Sequence, residues 1–369
     1  MKKFWVVHNI PSPYRLHIFN MLWKECKQLG LDFHVHFMSD MSRGYEERPL
    51  SWRNPKMDFP HTYWKDYGIG QRHVNPGLLA HIWKNKPEYL FAGSPIDTLT
   101  GMFAGRLVDG VKCTWCEGNT KTPGKMGGVL GWIKRFALSG YEYVAVPGSD
   151  AANYIALHQA RTIRRMPKPV LLPNLVDETR FVAKKWNSQY DGVRRAIIPA
   201  RLKPVKGLME FVALLTPELI KGWKISIIGD GELKIPLMRL IKERGLSDNI
   251  TIKPFIAYND MPRQYAESDL LILPSIYDPN PLSVIEALHT GLPIALTSEA
   301  GNVEEAVTEG KNGWVLPVKD KARYADVLAK IFATPRERLS EMGMWSREHN
   351  AQYWNSNLSI QRFMDKLLK

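Results

Sequence analysis

Two carboxylates, Asp278 and Glu286, stand eight positions apart in residues 274–291, between two apolar runs, 268–273 and 292–296, of buried-strand length. Strand, loop, helix, strand is the reading. Prolines at 279 and 281 put the helix start near Pro281, where a missing N–H costs nothing, and Gly291 ends it. The amides of Leu282 and Ser283 would then be free. A helix N-terminus beyond the carboxyl end of a parallel strand is where an open α/β sheet binds phosphate. With two flanking acids this is the outline of a sugar-nucleotide site.

Other reactive types carry less. Cys113 and Cys116 have the spacing of a redox pair, but they close an apolar strand pattern rather than open a helix, and no second pair exists to bind zinc. Together with Cys26 they read as reduced core thiols of a cytosolic protein. His34 and His36 share one face of a strand; with no third ligand in view, packing explains them better than a metal.

The elements that must position these residues recur along the chain. Strands are expected at 3–8, 32–37, 89–92, 111–115, 143–146 and 170–172, and again at 195–200, 224–228, 249–254, 270–273, 294–297 and 314–316, with helices such as 14–29 between them. Strands alternating with helices imply parallel, doubly wound sheets. At 369 residues the chain suits two domains. The expected division is an N-terminal domain over 1–172, a linker over 173–192, a C-terminal domain over 193–340 and a helical tail over 341–369. Trp345, Tyr353 and Trp354 would anchor that tail across the first domain. Residues 40–75, rich in charge, proline and aromatics including Trp52, Phe59, Tyr63, Trp64 and Tyr67, form an irregular excursion that could meet an acceptor.

The net charge of +13 is unevenly spread: residues 1–170 carry 23 Lys and Arg against 13 Asp and Glu. A basic first half attracts polyanions. The segments 132–136 and 161–168 add amphipathic and basic stretches that suit peripheral contact with an anionic membrane. No apolar run reaches the roughly 20 residues of a membrane span. The opening apolar run breaks at His8, Asn9 and Pro11, so it reads as a first strand rather than a secretory leader. A nucleic-acid binder is disfavoured because no recognition motif accompanies the charge.

Taken in order, Pro173-Asn174 through Asp177 and Phe181, Arg201 through Lys206-Gly207, Ile228-Gly229-Asp230-Gly231, Ala266 through Asp269, Asp278 through Glu286, Gly291-Leu292-Pro293, Gly301 with Glu305, and Asn312-Gly313 resemble the retaining glycosyltransferases of family 4. The resemblance spans almost the whole chain and is strongest after residue 170. It implies the GT-B architecture: two Rossmann-like domains facing across a cleft, with a C-terminal helix packing back on the first. It also implies transfer from a nucleoside diphosphate sugar, UDP being the nucleotide most in keeping. The acceptor would be a growing or lipid-linked bacterial surface glycan, and the enzyme cytoplasmic, at the inner face of the membrane.

Such a transfer leaves a diphosphate whose negative charge needs a metal or fixed cations. The resemblance gives the diphosphate to Arg201 and Lys206, the ribose hydroxyls to Glu286 and the transferred sugar to Asp278. No Asp-any-Asp pair is evident, so no metal is expected and no cofactor beyond the donor itself. Asp278 stands where the family has glutamate, one methylene shorter, and Asn280 and Pro281 replace its usual glycines. A purely structural role for Asp278, capping the helix, is the alternative. The base would lie near Phe255, and Gly229 and Gly231 would turn the backbone near the donor. Glu117 falls where the family has a donor-contacting histidine; a carboxylate there could orient a hydroxyl, stabilise positive charge at the anomeric carbon or act as acceptor base. Arg15, in a proline-rich opening segment like that of a polysaccharide subgroup, would face phosphate, acceptor or solvent. A sugar-nucleotide epimerase, a phosphorylase and a catalytically degenerate binding module remain the competing readings on this architecture.

Overall fold

The computed structural model describes residues 1–40, 57–69, 72–93, 95–122, 127–186 and 190–369. They form two units: Met1–Val176 with Ser356–Lys369, and Asp177–Asn355. Each is built on one all-parallel sheet.

In the first unit the strands are β1 (Lys3–His8), β2 (Asp32–Phe37), β3 (His61–Tyr63), β4 (Tyr89–Ala92), β5 (Val111–Trp115), β6 (Tyr143–Val146) and β7 (Lys168–Leu171), in the order β3-β2-β1-β4-β5-β6-β7. In the second they are β8 (Arg194–Pro199), β9 (Trp223–Ile228), β10 (Ile250–Lys253), β11 (Leu270–Leu273), β12 (Ile294–Thr297) and β13 (Gly313–Leu316), in the order β10-β9-β8-β11-β12-β13. Strand direction of travel reverses between β1 and β4 and between β8 and β11. Two Rossmann-like halves result, each with a crevice beyond its strand ends at the reversal.

The apolar runs predict these strands because a strand covered on both faces needs no alternation; all four residues of β11 are buried. β3 is the strand that the pattern does not reveal. It is a three-residue edge, His-Thr-Tyr, paired only with β2 and half-exposed. It lies in the segment expected to be irregular. Of that segment's aromatics, Phe59 is buried edge-on against Phe19 and Phe33, and the Trp64 indole donates to His36 Nδ1 at 3.1 Å. Tyr63 and Tyr67 are exposed; Trp52 lies outside the described residues.

The C-terminal helix Ser356–Leu368 packs on the helix Pro13–Gln28 and on β7. Ile360, Phe363, Met364 and Leu367 recur at helical spacing and are buried, and Phe363 meets Phe91 with ring centroids 5.1 Å apart. Burying one such phenylalanine is worth about 1.5–3 kcal/mol. These residues, not Trp345, Tyr353 and Trp354, anchor the tail. The three aromatics belong to the second unit, where Trp354 is buried in the 3-10 turn Asn350–Trp354 beneath the helix Arg336–Glu348. The chain re-enters the first unit at Ser356, whose hydroxyl bonds to His17 Nε2 at 2.9 Å.

All three cysteines are free and buried, and burial pushes Cys116 to about 11 and Cys26 to about 12. Such thiols are poor nucleophiles. His36 packs among Trp5, Trp64 and His81, and burial pushes it down to about 3.

Candidate active site

The crevice of the second unit is shaped by the loops after β8, β9 and β11. The loop after β8 ends in a short 3-10 turn, Pro204–Lys206, and Gly207 in the left-handed region at φ 62°. A Cβ at Gly207 would stand 2.1 Å from the carbonyl oxygen of Pro274. Only glycine allows both that backbone angle and that approach. The Ile276 amide completes the join by donating to the Val205 carbonyl at 2.9 Å.

This join brings Lys206 to Asp278. Their charged groups form an ion pair, and both side chains are mostly buried. Asp278 does not cap the helix: no side chain does. Its own backbone is pinned from the other side, its carbonyl accepting from Gly301 N at 2.9 Å. Arg201, on the same loop as Lys206, is exposed, and its guanidinium has no partner among the described residues.

The helix Leu282–Thr290 starts after Pro281 at φ −68° and ends at Gly291 at φ 82°. Within the described residues the amides of Leu282 and Ser283 have no acceptor, as geometry requires of a first turn. The loop ahead of the helix holds further unsatisfied polar atoms. Both side-chain atoms of Asn280 and the Ser275 hydroxyl are buried without a partner. Sequence reasoning noticed Asn280 only as a replaced glycine; burial is what distinguishes it.

Glu286 lies one helical turn deeper, 7% exposed, with Oε2 accepting from the Tyr265 hydroxyl at 2.5 Å. Oε1 has no partner among the described residues. Burial raises the carboxyl above the usual glutamate range, against the pull of the Tyr265 bond and the Arg180 charge. Arg180 stacks 4.0 Å from the Tyr258 ring centroid, and burial together with the Glu286 charge pushes Tyr258 up to about 12. Tyr265, Tyr258 and Arg180 carry no motif signal; they join Glu286 only through folding.

Gly229 and Gly231 serve the scaffold. A Cβ at Gly229 would meet the Ala200 carbonyl oxygen at 2.1 Å, so the glycine lets the loops after β8 and β9 touch. Phe255 is half-exposed, and its amide donates to Asp230 at 2.8 Å, which also fixes Lys234.

The first unit has its own crevice at the end of β1 and β4. Arg15 is buried there, not solvated: Nη1 donates to Asn174 Oδ1 at 2.7 Å, Nη2 to Glu117 Oε1 at 2.6 Å, and the guanidinium lies 3.6 Å from the Trp115 ring centroid. Asn174 also donates to Glu117 Oε1, at 2.8 Å. Glu117 is thus held by two side chains on its Oε1 and stays 35% exposed. A cavity of about 360 Å³ opens beside it, lined by His8, Asp97 and Lys134 among others. Burial, with Arg15 and His73 adding to it, keeps His8 neutral, near 3, whereas burial raises Asp97 against the pull of Lys134.

Residues 183–347, which contain the whole of the second crevice's loops, match the family model of glycosyl transferases group 1. The chain carries a glycosyltransferase domain. Curated relatives of this domain include the putative colanic acid biosynthesis glycosyltransferase WcaL of Salmonella typhimurium, 28% identical over 53% of this chain and 49% of that protein. A GDP-mannose-dependent phosphatidylinositol monomannoside mannosyltransferase of Mycobacterium tuberculosis is 26% identical over 46% of each chain. The chain thus spans about half the length of these relatives. Solved structures share the whole fold: Anabaena Alr3699/HepE in complex with UDP and glucose superposes with a TM-score of 0.74 at 14% identity over 100% of both chains. TarM does so with a TM-score of 0.73 at 12% identity over 100% of this chain and 99% of its own. The fold around the glycosyltransferase domain is that of the GT-B enzymes.

Proposed function

We propose that the chain is a retaining glycosyltransferase of family 4 that moves a sugar from a nucleoside diphosphate donor, UDP in the first instance, to a growing or lipid-linked bacterial surface glycan. The observation that carries this reading is the crevice of the second unit, where Arg201, Lys206 and the unpartnered amides of Leu282 and Ser283 belong to loops that meet at the β8/β11 reversal. Lys206 and the two helix amides are fixed before the donor arrives, which is what stabilising a leaving diphosphate demands. Fixed cations of this kind do the work a divalent metal does elsewhere, so the reading is of a metal-independent enzyme.

The roles follow from the bonds. Lys206 has three N–H donors. One is spent on Asp278, which leaves two for phosphate oxygens and makes Asp278 a positioning group for the lysine as well as a neighbour of the sugar. Arg201 offers a planar fork. The free Oε1 of Glu286 is available to a ribose hydroxyl, and Phe255 to the base. In a front-face substitution the bond from the anomeric carbon to the phosphate oxygen breaks as the acceptor oxygen bonds from the same side, and the departing phosphate takes the acceptor proton. Glu117, with the cavity beside it, would orient the acceptor hydroxyl.

UDP is supported by the UDP named in the HepE complex, and a polysaccharide acceptor by the colanic acid named for WcaL. Peripheral membrane contact is supported by the helix Gly128–Leu138, which leaves Val129, Leu130 and Trp132 exposed beside Lys134 and Arg135. No helix among the described residues is long and apolar enough to cross a membrane.

Nucleotide release from a panel of UDP, GDP and ADP sugars, measured with candidate lipid-linked acceptors in chelator, tests the reading. UDP release matched by a larger glycan with the donor's anomeric configuration is expected. An isomerised donor, or binding without consumption, would overturn it.

A further inference from the structure

The second unit has a cavity of about 640 Å³ along one face of its sheet. It is lined by Arg195–Ile197 of β8, Lys224 and Ser226 of β9, the residues just ahead of β11, and Lys253 at the end of β10.

Its lining is unbalanced. Five cations face it, Lys184, Arg195, Lys224, Lys253 and Arg336, against three carboxylates, Asp191, Glu267 and Asp269. Asp191 pairs with Arg195, and Glu267 is shared with Arg263 outside the cavity. Asp269 is 3% exposed and receives two cations on the same oxygen: Lys184 Nζ at 3.3 Å and Arg336 Nε at 3.8 Å from Oδ1. Its other oxygen accepts the Arg195 amide at 2.8 Å.

One carboxylate therefore answers for two cations, although Lys184 is only 7% exposed. Arg336 Nε is buried with no hydrogen-bond acceptor. Lys224 and Lys253 find only neutral acceptors, the Asp248 carbonyl and Gln264 Oε1. Buried positive charge without a matching anion is costly, as is a guanidinium N–H left unpaired. Burial lowers the Lys184 ammonium from its usual range, and Arg336 and Arg195 add to that lowering while Asp269 opposes it.

We infer that this cavity is a second anion site, separate from the donor crevice, which takes a free small molecule bearing a phosphate or diphosphate group. Lys184 and Arg336 would grip the anion at the Asp269 end, and Lys224 would close it on the sheet face. The inference does not rest on the sugar-transfer reading, since Lys184, Lys224 and Arg336 lie outside the donor loops; Lys253, two residues before Phe255, is given no part in it.

Pyrophosphate is the probe. With the full chain at constant ionic strength and saturating UDP, lysine acetylation followed by mass spectrometry should show the exposed Lys224 protected by pyrophosphate, and titration calorimetry a matching binding step. Lys224→Gln, an exposed position whose loss leaves the fold intact by circular dichroism, should weaken that step about tenfold, as expected for one charge-assisted contact. Protection confined to Lys206, or equal binding by Lys224→Gln, would overturn the inference. So would retention on phosphatidic-acid vesicles without any response to free pyrophosphate, which would assign the cations to a lipid headgroup.

Discussion

The two sheet reversals of this chain treat their arginines in opposite ways. In the first unit Arg15 is buried and satisfied inside the protein by Asn174, Glu117 and the Trp115 ring. In the second Arg201 is exposed and has no partner among the described residues. The same side chain is a clamp in one crevice and an unspent charge in the other. A guanidinium already neutralised by a carboxylate adds little to a phosphate site, whereas an unpartnered one has all its donors to offer. The polarity of the proposed reaction follows: the second unit is built to take negative charge, and the first to orient a carboxylate toward a cavity.

The sharpest test of that contrast is Lys206→Ala, which should reduce turnover about 10²–10³-fold, in line with the loss of one preorganised donor to developing charge. Circular dichroism should be unchanged; near-normal sugar transfer by the variant would remove the donor assignment. Arg201→Ala should lower turnover similarly with no fall in Tm. Arg15→Ala should do the reverse in its first effect, lowering stability by about 2 kcal/mol by leaving Glu117 and Asn174 without their partner. A fall in Tm with Arg201→Ala and none with Arg15→Ala would invert the comparison.

Gly207→Ala comes next. The left-handed backbone alone costs about 1–2 kcal/mol, and relief of the clash with Pro274 must move Lys206 away from Asp278. A raised KM for donor together with a lowered Tm is expected, and an unchanged KM would break the link between the loop join and the site.

The smallest effect is in pH. Burial raises Glu286 above the ordinary glutamate range, so its neutral form is favoured in the fold. The stability this contributes is complete below the unfolded pKa and is lost as pH rises through the folded one. Ribose binding needs the charged form, so UDP affinity should fall as pH drops through the raised value. Glu286→Gln should flatten both dependences, in thermal melts and in UDP titration; an unaltered affinity profile would take Glu286 out of the nucleotide site.

Much of the second crevice is legible in the residues themselves. Pro281 and Gly291 bound the helix because a proline tolerates a first turn and a glycine the left-handed stop, and both effects are local. The buried strands are equally local: runs such as Leu270–Leu273 need only be apolar and short. The short edge β3 escapes because three polar residues carry no period, and pairing with β2 alone makes them a strand. The tail's anchors escape for a related reason. Trp345, Tyr353 and Trp354 are apolar enough for either unit, and only packing decides which one buries them.

What the sequence by itself determined is two doubly wound sheets, the helix behind residues 274–281 and the presence of Asp278, Glu286, Arg201 and Lys206 near strand ends. Only the tertiary structure decided that Lys206 and Asp278 form one ion pair, that Arg15 is spent on Glu117 and that Tyr265 holds Glu286. Spacing along the chain reports what each segment prefers. Which charges neutralise one another depends on parallel strands far apart in sequence arriving side by side, and that is set by sheet order.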